Sequence, residues 1–361
     1  MCADAVNAEA IIEPELPIVD PHHHLWCYSQ AVLDMLGQRD NLMTQALLPA
    51  FRGNARYLFD ELLADLNSGH NIRATVYVEV RSMYRRTGPQ ELRSVGEVEF
   101  ANGVAAMAAS GVFTDIAVCA GIVGNVDLRF GDRAKGVLEA QMQAGGGRYR
   151  GIRASHVVHD PHPEVLGAAF NGAPRLHLDG KFREAFRHLA PLGLSYDAWQ
   201  LEYQLGELVD LVRAFPETQV VVNHLGGLFG VGPYRGRQEE RFAAWHANIR
   251  ALAECPNVAM KLGGLGMPMC GLPSSFAATA PGSRQLAEDW RPYIESCIEA
   301  FGSGRCMFES NYPVDFATAR YPLIWNAFKR IASGASPDEK AALFGGTAAR
   351  VYRIDLEPTD P

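Results

Sequence analysis

Leu16-Pro17-Ile18-Val19-Asp20-Pro21-His22-His23-His24-Leu25-Trp26 is the stretch on which the reading of the whole chain turns. A short apolar run, Ile18-Val19, meets an acid and a proline and then three histidines, so the histidines stand where a buried strand gives way to a loop. Along extended chain, residues two apart share a face. His22 and His24 therefore point one way and His23 the other. Two imidazoles on one face are a metal-ligand pair, or two donors for a polarised carbonyl. An open doubly wound sheet usually carries Gly-x-Gly-x-x-Gly at its first turn. Three histidines there argue against a nucleotide fold.

Outward from that turn, strand-like runs alternate with helical ones. The second strand is Ile72–Val80, the third Phe113–Gly121, the fourth Tyr149–Ser155 and the fifth Gly193–Trp199. The sixth is Thr218–His224, the seventh Asn257–Leu262 and the eighth Arg305–Ser310. Helical patterns fill the gaps at Tyr57–Ser68, Glu97–Ser110, Asp132–Ala144, Phe182–Leu192, Leu201–Phe215, Arg241–Glu254 and Arg284–Phe301. Ala31–Pro49 reads as a loop-plus-helix excursion and Gly263–Arg284 as a Gly/Pro/Ser-rich one. The last helix starts at Ser336-Pro337-Asp338-Glu339, a capping box with proline at the first helical position. Eight strand–helix units close most naturally into an α/β (β/α)8 TIM barrel, and no linker or composition shift marks a second domain in residues 1–361.

The 361 residues, 48% hydrophobic and 20% charged, are ordinary for a soluble globular protein. A formal net charge of −8 excludes a general nucleic-acid or acidic-membrane binder, since no basic surplus is there to neutralise phosphates. Seven scattered cysteines without Cys-x-x-Cys fit free thiols in a reducing compartment. The N-terminal stretch Met1–Glu9 has no basic region and no long apolar run, so neither a signal peptide nor a membrane span is expected, and the expected location is cytoplasmic. Acidic soluble barrels of this size often dimerise, which keeps a homodimer in view.

In a barrel the chemistry lies at the C-terminal ends of the strands. Those ends offer His22 and His24, Glu79 and Arg81, Arg153, Asp197, His224, Lys261, and finally Glu309 and Asn311. Each singly has a structural use: Asp197 as a turn cap, Arg153 paired with Glu79, Lys261 paired with Glu309. Core packing alone does not gather so many polar groups at one rim, and together they read as a catalytic pocket. Arg81 and Arg153 suggest a small anionic substrate, since guanidinium grips carboxylate bidentately.

These residues carry a resemblance. From Ile18 to Tyr352 the chain resembles the amidohydrolase-2 family of the amidohydrolase superfamily, in its lactonase-like branch of sugar lactone and 2-pyrone-4,6-dicarboxylate lactone hydrolases. The landmarks are Asp20–Trp26 as Asp-x-His-x-His, Gly151-Ile152-Arg153, Leu194-Ser195-Tyr196-Asp197, Val222–Gly227, Asn257–Gly263, Arg305–Asp315 and Gly346–Tyr352. The resemblance implies hydrolysis of an acyl C–O or C–N bond, foremost that of a lactone. It implies either one divalent ion, zinc or manganese, on His22, His24 and His224, or metal-free catalysis by the same imidazoles with Arg153 as oxyanion donor and a nearby carboxylate as base. Non-oxidative decarboxylation of an aromatic acid and non-catalytic ligand binding are the alternatives.

Two departures matter. The family usually has Asp where Asn311 stands, and an amide cannot take up a proton in that role. The carboxylate is two residues earlier, at Glu309, roughly 6.5 Å deeper along the strand. Glu309 is expected to take over part of the missing charge, as base or as partner of Lys261, with Asp315 a weaker candidate. Many relatives also have a histidine shortly after the fifth strand. Here that neighbourhood is Gln200–Gln204, which makes Glu202 the candidate in its place.

Overall fold

The computed structural model describes residues 9–356, so Cys2 and nearly all of the N-terminal stretch read above lie outside the described residues. Eight parallel strands follow one another around a single sheet in chain order. They are β1 (Ile18–His23), β2 (Ile72–Val78), β3 (Ala117–Gly124), β4 (Tyr149–Arg153), β5 (Ser195–Ala198), β6 (Val220–Val222), β7 (Val258–Leu262) and β8 (Cys306–Phe308). The ring closes where His23 bridges Tyr312 just past β8 and the His24 amide donates to the Tyr312 carbonyl at 2.9 Å. The architecture is the expected (β/α)8 barrel.

Two boundaries differ from the sequence reading for physical reasons. β1 does not stop at Pro21 but runs to His23; the proline, which has no N–H to give, falls where the pairing with β2 slips between Asp20 and His23. β3 begins at Ala117 and not at Phe113, because Phe113 is half exposed in the turn after the preceding helix, edge-on to Phe59.

The barrel interior is filled mainly by small apolar side chains, among them Ala74, Val76, Val123, Val221 and Ala259, with the longer Met307 beside them. The C-terminal helix (Thr347–Tyr352) adds Ala348, Val351 and Tyr352 to this inner cluster and closes the lower end. The segment before it starts with the predicted capping box on Ser336. At the opposite end the excursion after β1 forms two helices, α1 (Gln30–Gly37) and α2 (Leu42–Gly53), capped by the side chains of Ser29 and Asn41. Asn54, which follows α2, accepts from the Trp26 indole at 2.6 Å, so the pair is tied to the strand end that carries the histidines. The six described cysteines are free thiols, all buried except Cys27. Among the described residues no helix is long and apolar enough to cross a membrane.

Beneath the loop that follows β2, Glu97 is buried and accepts on one oxygen, Oε1, from the Tyr77 hydroxyl and the Val80 and Ser82 amides, while Oε2 has no partner among the described residues. Burial, with the Glu79 charge second, pushes its pKa up to about 8. A raised carboxyl pKa stabilises the fold below the ordinary value of about 4.5 and loses that contribution as pH climbs towards 8. Glutamine can keep the acceptor oxygen without the charge. We expect Glu97→Gln and the parent protein to melt together near pH 5 and the variant to melt about 2 °C or more higher by pH 9. Parallel melting curves across that range would count against the buried charge as the cause.

Candidate active site

At the top of the barrel, His22 and His24 share the inner face, with their Nε2 atoms 3.2 Å apart. His23 takes the other face and meets Thr75 Oγ1 at 2.9 Å. His24 Nδ1 donates to the Val78 carbonyl at 2.8 Å, which fixes that tautomer and leaves Nε2 with its lone pair. Burial holds the pKa of both His22 and His24 well below the ordinary value, with Lys261 the next cause at His22 and Arg153 at His24. Both rings are therefore neutral at pH 7.

Glu309 lies between His22 and His224. Its Oε1 accepts from the His224 ring Nδ1 at 2.7 Å and from the His224 amide at 3.1 Å. Its Oε2 is 2.7 Å from His22 Nδ1, out of line for a hydrogen bond and without any other partner among the described residues. His224 reaches this position because its backbone is left-handed (φ 52°) directly after β6. The crossing chain must give way: Gly264 has φ +70°, and a Cβ there would lie 2.4 Å from His224 Nδ1. Gly264→Ala is expected to displace the ring and cut turnover roughly tenfold with the fold retained, read by steady-state kinetics beside circular dichroism. Unchanged turnover would mean that the ring position does not matter.

Donor atoms of His22, His224 and Glu309 all lie within 4.8 Å of one another, and all three residues are buried. This trio, with its unpartnered carboxylate oxygen, suits a divalent cation. It differs from the expected set by exchanging His24 for Glu309. Two cations flank it: Lys261 Nζ is 3.3 Å from His22 Nδ1, and Arg153 Nη1 is 3.3 Å from His22 Nε2. Each is matched by its own carboxylate, Lys261 by Asp197 at 2.7 Å and Arg153 by Glu79 at 2.8 Å. Glu309 thus supplies the unmatched negative charge.

Lys261 therefore does not pair with Glu309. Asp197 and Lys261 come from alternate strands, β5 and β7, and so meet in one layer of the interior, below the histidines. Asn311 lines the cavity and donates to Asp315 Oδ1 at 2.7 Å. Asp315 also accepts from the Gly266 amide, and burial pushes its pKa up to about 8. It holds Asn311 and the loop after β7. Glu202 does not line the pocket: buried in the short helical turn after β5, it pairs with Arg241 on the helix Gln238–Ala253.

Above the trio opens a cavity of ≈ 380 Å3 that reaches His24, Glu79, Arg81, Arg153, His224 and Asn311. Several contacts that support the site around it were not read from the sequence. Asn125 donates to both Glu79 Oε2 and Ser155 Oγ at 3.0 Å, and Arg81 Nε donates to the same Ser155 hydroxyl at 3.0 Å. Asp20 accepts from Ser310 and Tyr321 and so ties β1 to β8. Tyr352 donates to Asp197 at 2.8 Å from below.

Comparison with known proteins agrees with this geometry. The amidohydrolase family model matches residues 19–354. The y4mH protein of Sinorhizobium fredii is 33% identical, covering 94% of this chain and 99% of its own length. An L-fucono-1,5-lactonase of Burkholderia multivorans is 27% identical over 95% of this chain and 97% of its own. A solved amidohydrolase of Burkholderia multivorans with bound zinc superposes with a TM-score of 0.69 at 25% identity, covering 94% of this chain and 99% of that one. Since the match runs from the first barrel strand past the last helix, and the relatives are spanned nearly end to end, the chain belongs to the amidohydrolase family and is a hydrolase.

Proposed function

We propose that the enzyme opens a lactone that bears a negative charge, by attack of activated water on the ring carbonyl. The observation that carries this reading is the buried Glu309 carboxylate between His22 and His224, which sets His224 at the edge of a cavity that His24 and Arg153 also line. Ester hydrolysis needs a proton acceptor for water, a stabiliser for the oxyanion and a donor for the leaving alkoxide. With Nδ1 donated to Glu309, His224 has Nε2 available to take the water proton and return it to the ring oxygen as the C–O bond breaks. Arg153, held rigid by Glu79, faces the same space and offers N–H donors to the oxyanion. In the metal-bound alternative a divalent ion would be held by His22, His224 and Glu309 and would polarise the carbonyl and lower the pKa of its water, and His224 would then serve as a ligand and not as the base. Support for an anionic substrate comes from Arg81, which lines the cavity and, among the described residues, donates to Ser155 with no carboxylate partner.

The test is proton release in a pH-stat with a panel of five- and six-membered lactones, run beside carbon dioxide release from aromatic carboxylic acids. Acid release from lactones with no carbon dioxide is the expected result. Carbon dioxide release, or neither, would overturn the reading. Elemental analysis of protein purified without added metal or chelator, repeated after dialysis against a chelator, tells whether the trio works with an ion.

A further inference from the structure

The outer half of the cavity is unlike its floor. Its wall is built by α1 and α2, which present Leu36, Met43, Leu47 and Phe51, and by Phe170 opposite. Two polar groups interrupt this wall. Arg39, just past α1, has its guanidinium 5.0 Å over the Phe170 ring and no carboxylate partner among the described residues. Its backbone is pinned by the Gln45 amide donating to its carbonyl at 2.7 Å. Thr44, in the first turn of α2, is 2% exposed, lines the cavity, and its hydroxyl has no hydrogen-bond partner among the described residues.

A buried hydroxyl without a partner and a half-buried cation without a counter-ion are both costly unless a ligand completes them. Apart from the Tyr28 phenol beside Phe51, the wall between them and the histidines is Leu36, Met43, Leu47 and Phe51, which offer no partner to the hydroxyl groups of a sugar, each of which would be stripped of water on entry. We infer that the substrate is an acyl compound with an apolar body ending in a carboxylate, the body lying against α1 and α2 and the carboxylate taken by Arg39 and Thr44. This substrate class rests on the lactone reading for the reaction, since ring opening by water would release a hydroxy acid that keeps the distal carboxylate. The binding geometry does not depend on that reading.

Calorimetric titration separates the two. Suberate (eight carbons, two carboxylates), octanoate (the same chain with one) and galactonate (polyhydroxylated) are titrated into the full-length protein and into Arg39→Leu. Suberate is expected to bind about tenfold more tightly than octanoate, the difference to shrink to within about twofold in Arg39→Leu, and galactonate to bind least. Should Arg39→Leu fail to fold, Arg39→Gln carries the same comparison, and Thr44→Val is expected to weaken suberate about threefold. Equal binding of suberate and octanoate by the parent protein, galactonate binding as tightly as suberate, or no binding by any of the three would overturn the inference. If the suberate preference holds while no lactone is hydrolysed, the reaction is misassigned and the binding site stands. If polyhydroxylated lactones are hydrolysed in preference to apolar ones, the reaction stands and the binding site falls.

Discussion

Glu309→Gln is expected to lower kcat/KM for acyl hydrolysis about a thousandfold and to leave the barrel folded. The carboxylate accepts two hydrogen bonds from His224, one from the ring and one from the amide, and fills the gap to His22. Glutamine keeps the size and one acceptor. It places an NH2 group where the second oxygen stood, facing His22 Nδ1, and removes the charge left unmatched by the Lys261–Asp197 and Arg153–Glu79 pairs. His224 then loses the partner that stabilises it when protonated, and a cation held by the trio loses its only anionic ligand. Either loss removes the activation of water, and changing the group that orients a catalytic histidine costs several powers of ten. Steady-state kinetics with the best lactone of the panel, beside a melting curve, reads the result. A variant that keeps a tenth of the activity would make Glu309 a packing residue and move the proton acceptor elsewhere, with His24 the next to examine.

The barrel and its floor were legible because they follow from short-range rules. Strands that alternate with helices leave few topologies, and the period of two along β1 was enough to separate His22 and His24 from His23. The pairings across the interior were not legible, because they depend on how far each strand rises. Of the two expectations for Glu309, base or partner of Lys261, the second fails: Lys261 reaches Asp197, two strands away and in the same layer, while the left-handed turn at His224 swings the ring back onto Glu309. Asn125 is not legible because the apolar run Phe113–Gly121 points to a strand end three residues before the true one at Gly124. Glu202 stands near where many relatives have a histidine, but sequence spacing does not show that the turn after β5 pairs it with Arg241. The outer chamber lies on the Ala31–Pro49 excursion, whose apolar spacing says that a helix has a buried side but not that the side faces a cavity.

Lys261→Met is expected to cost about 3–5 kcal/mol of stability, because it strips the counter-charge from a fully buried carboxylate. Lys261 Nζ is 2.7 Å from Asp197 Oδ2 and both side chains are wholly enclosed. The remaining partners of Asp197 are neutral, the Asn223 amide at 2.9 Å and the Tyr352 hydroxyl at 2.8 Å. Hydrogen bonds from neutral donors do not offset the desolvation of a lone carboxylate at this depth. Removing both charges is a different matter, since an apolar or neutral pair of similar size is often as stable as the ion pair. Asp197→Asn combined with Lys261→Met should therefore recover most of the loss, and the cycle of single and double variants in urea gives a coupling of about 2 kcal/mol or more. Near-additive losses would mean that the two charges do not depend on each other. If stability alone kept the pair, the double variant would be a full enzyme. The ammonium also lies 3.3 Å from His22 Nδ1, and burial together with that positive charge is what keeps His22 neutral. The double variant is expected to regain its stability and still turn over at least about tenfold more slowly than the parent protein, because the group beneath His22 that orients its ring is gone. Full recovery of both would leave the ion pair with no part in the chemistry above it.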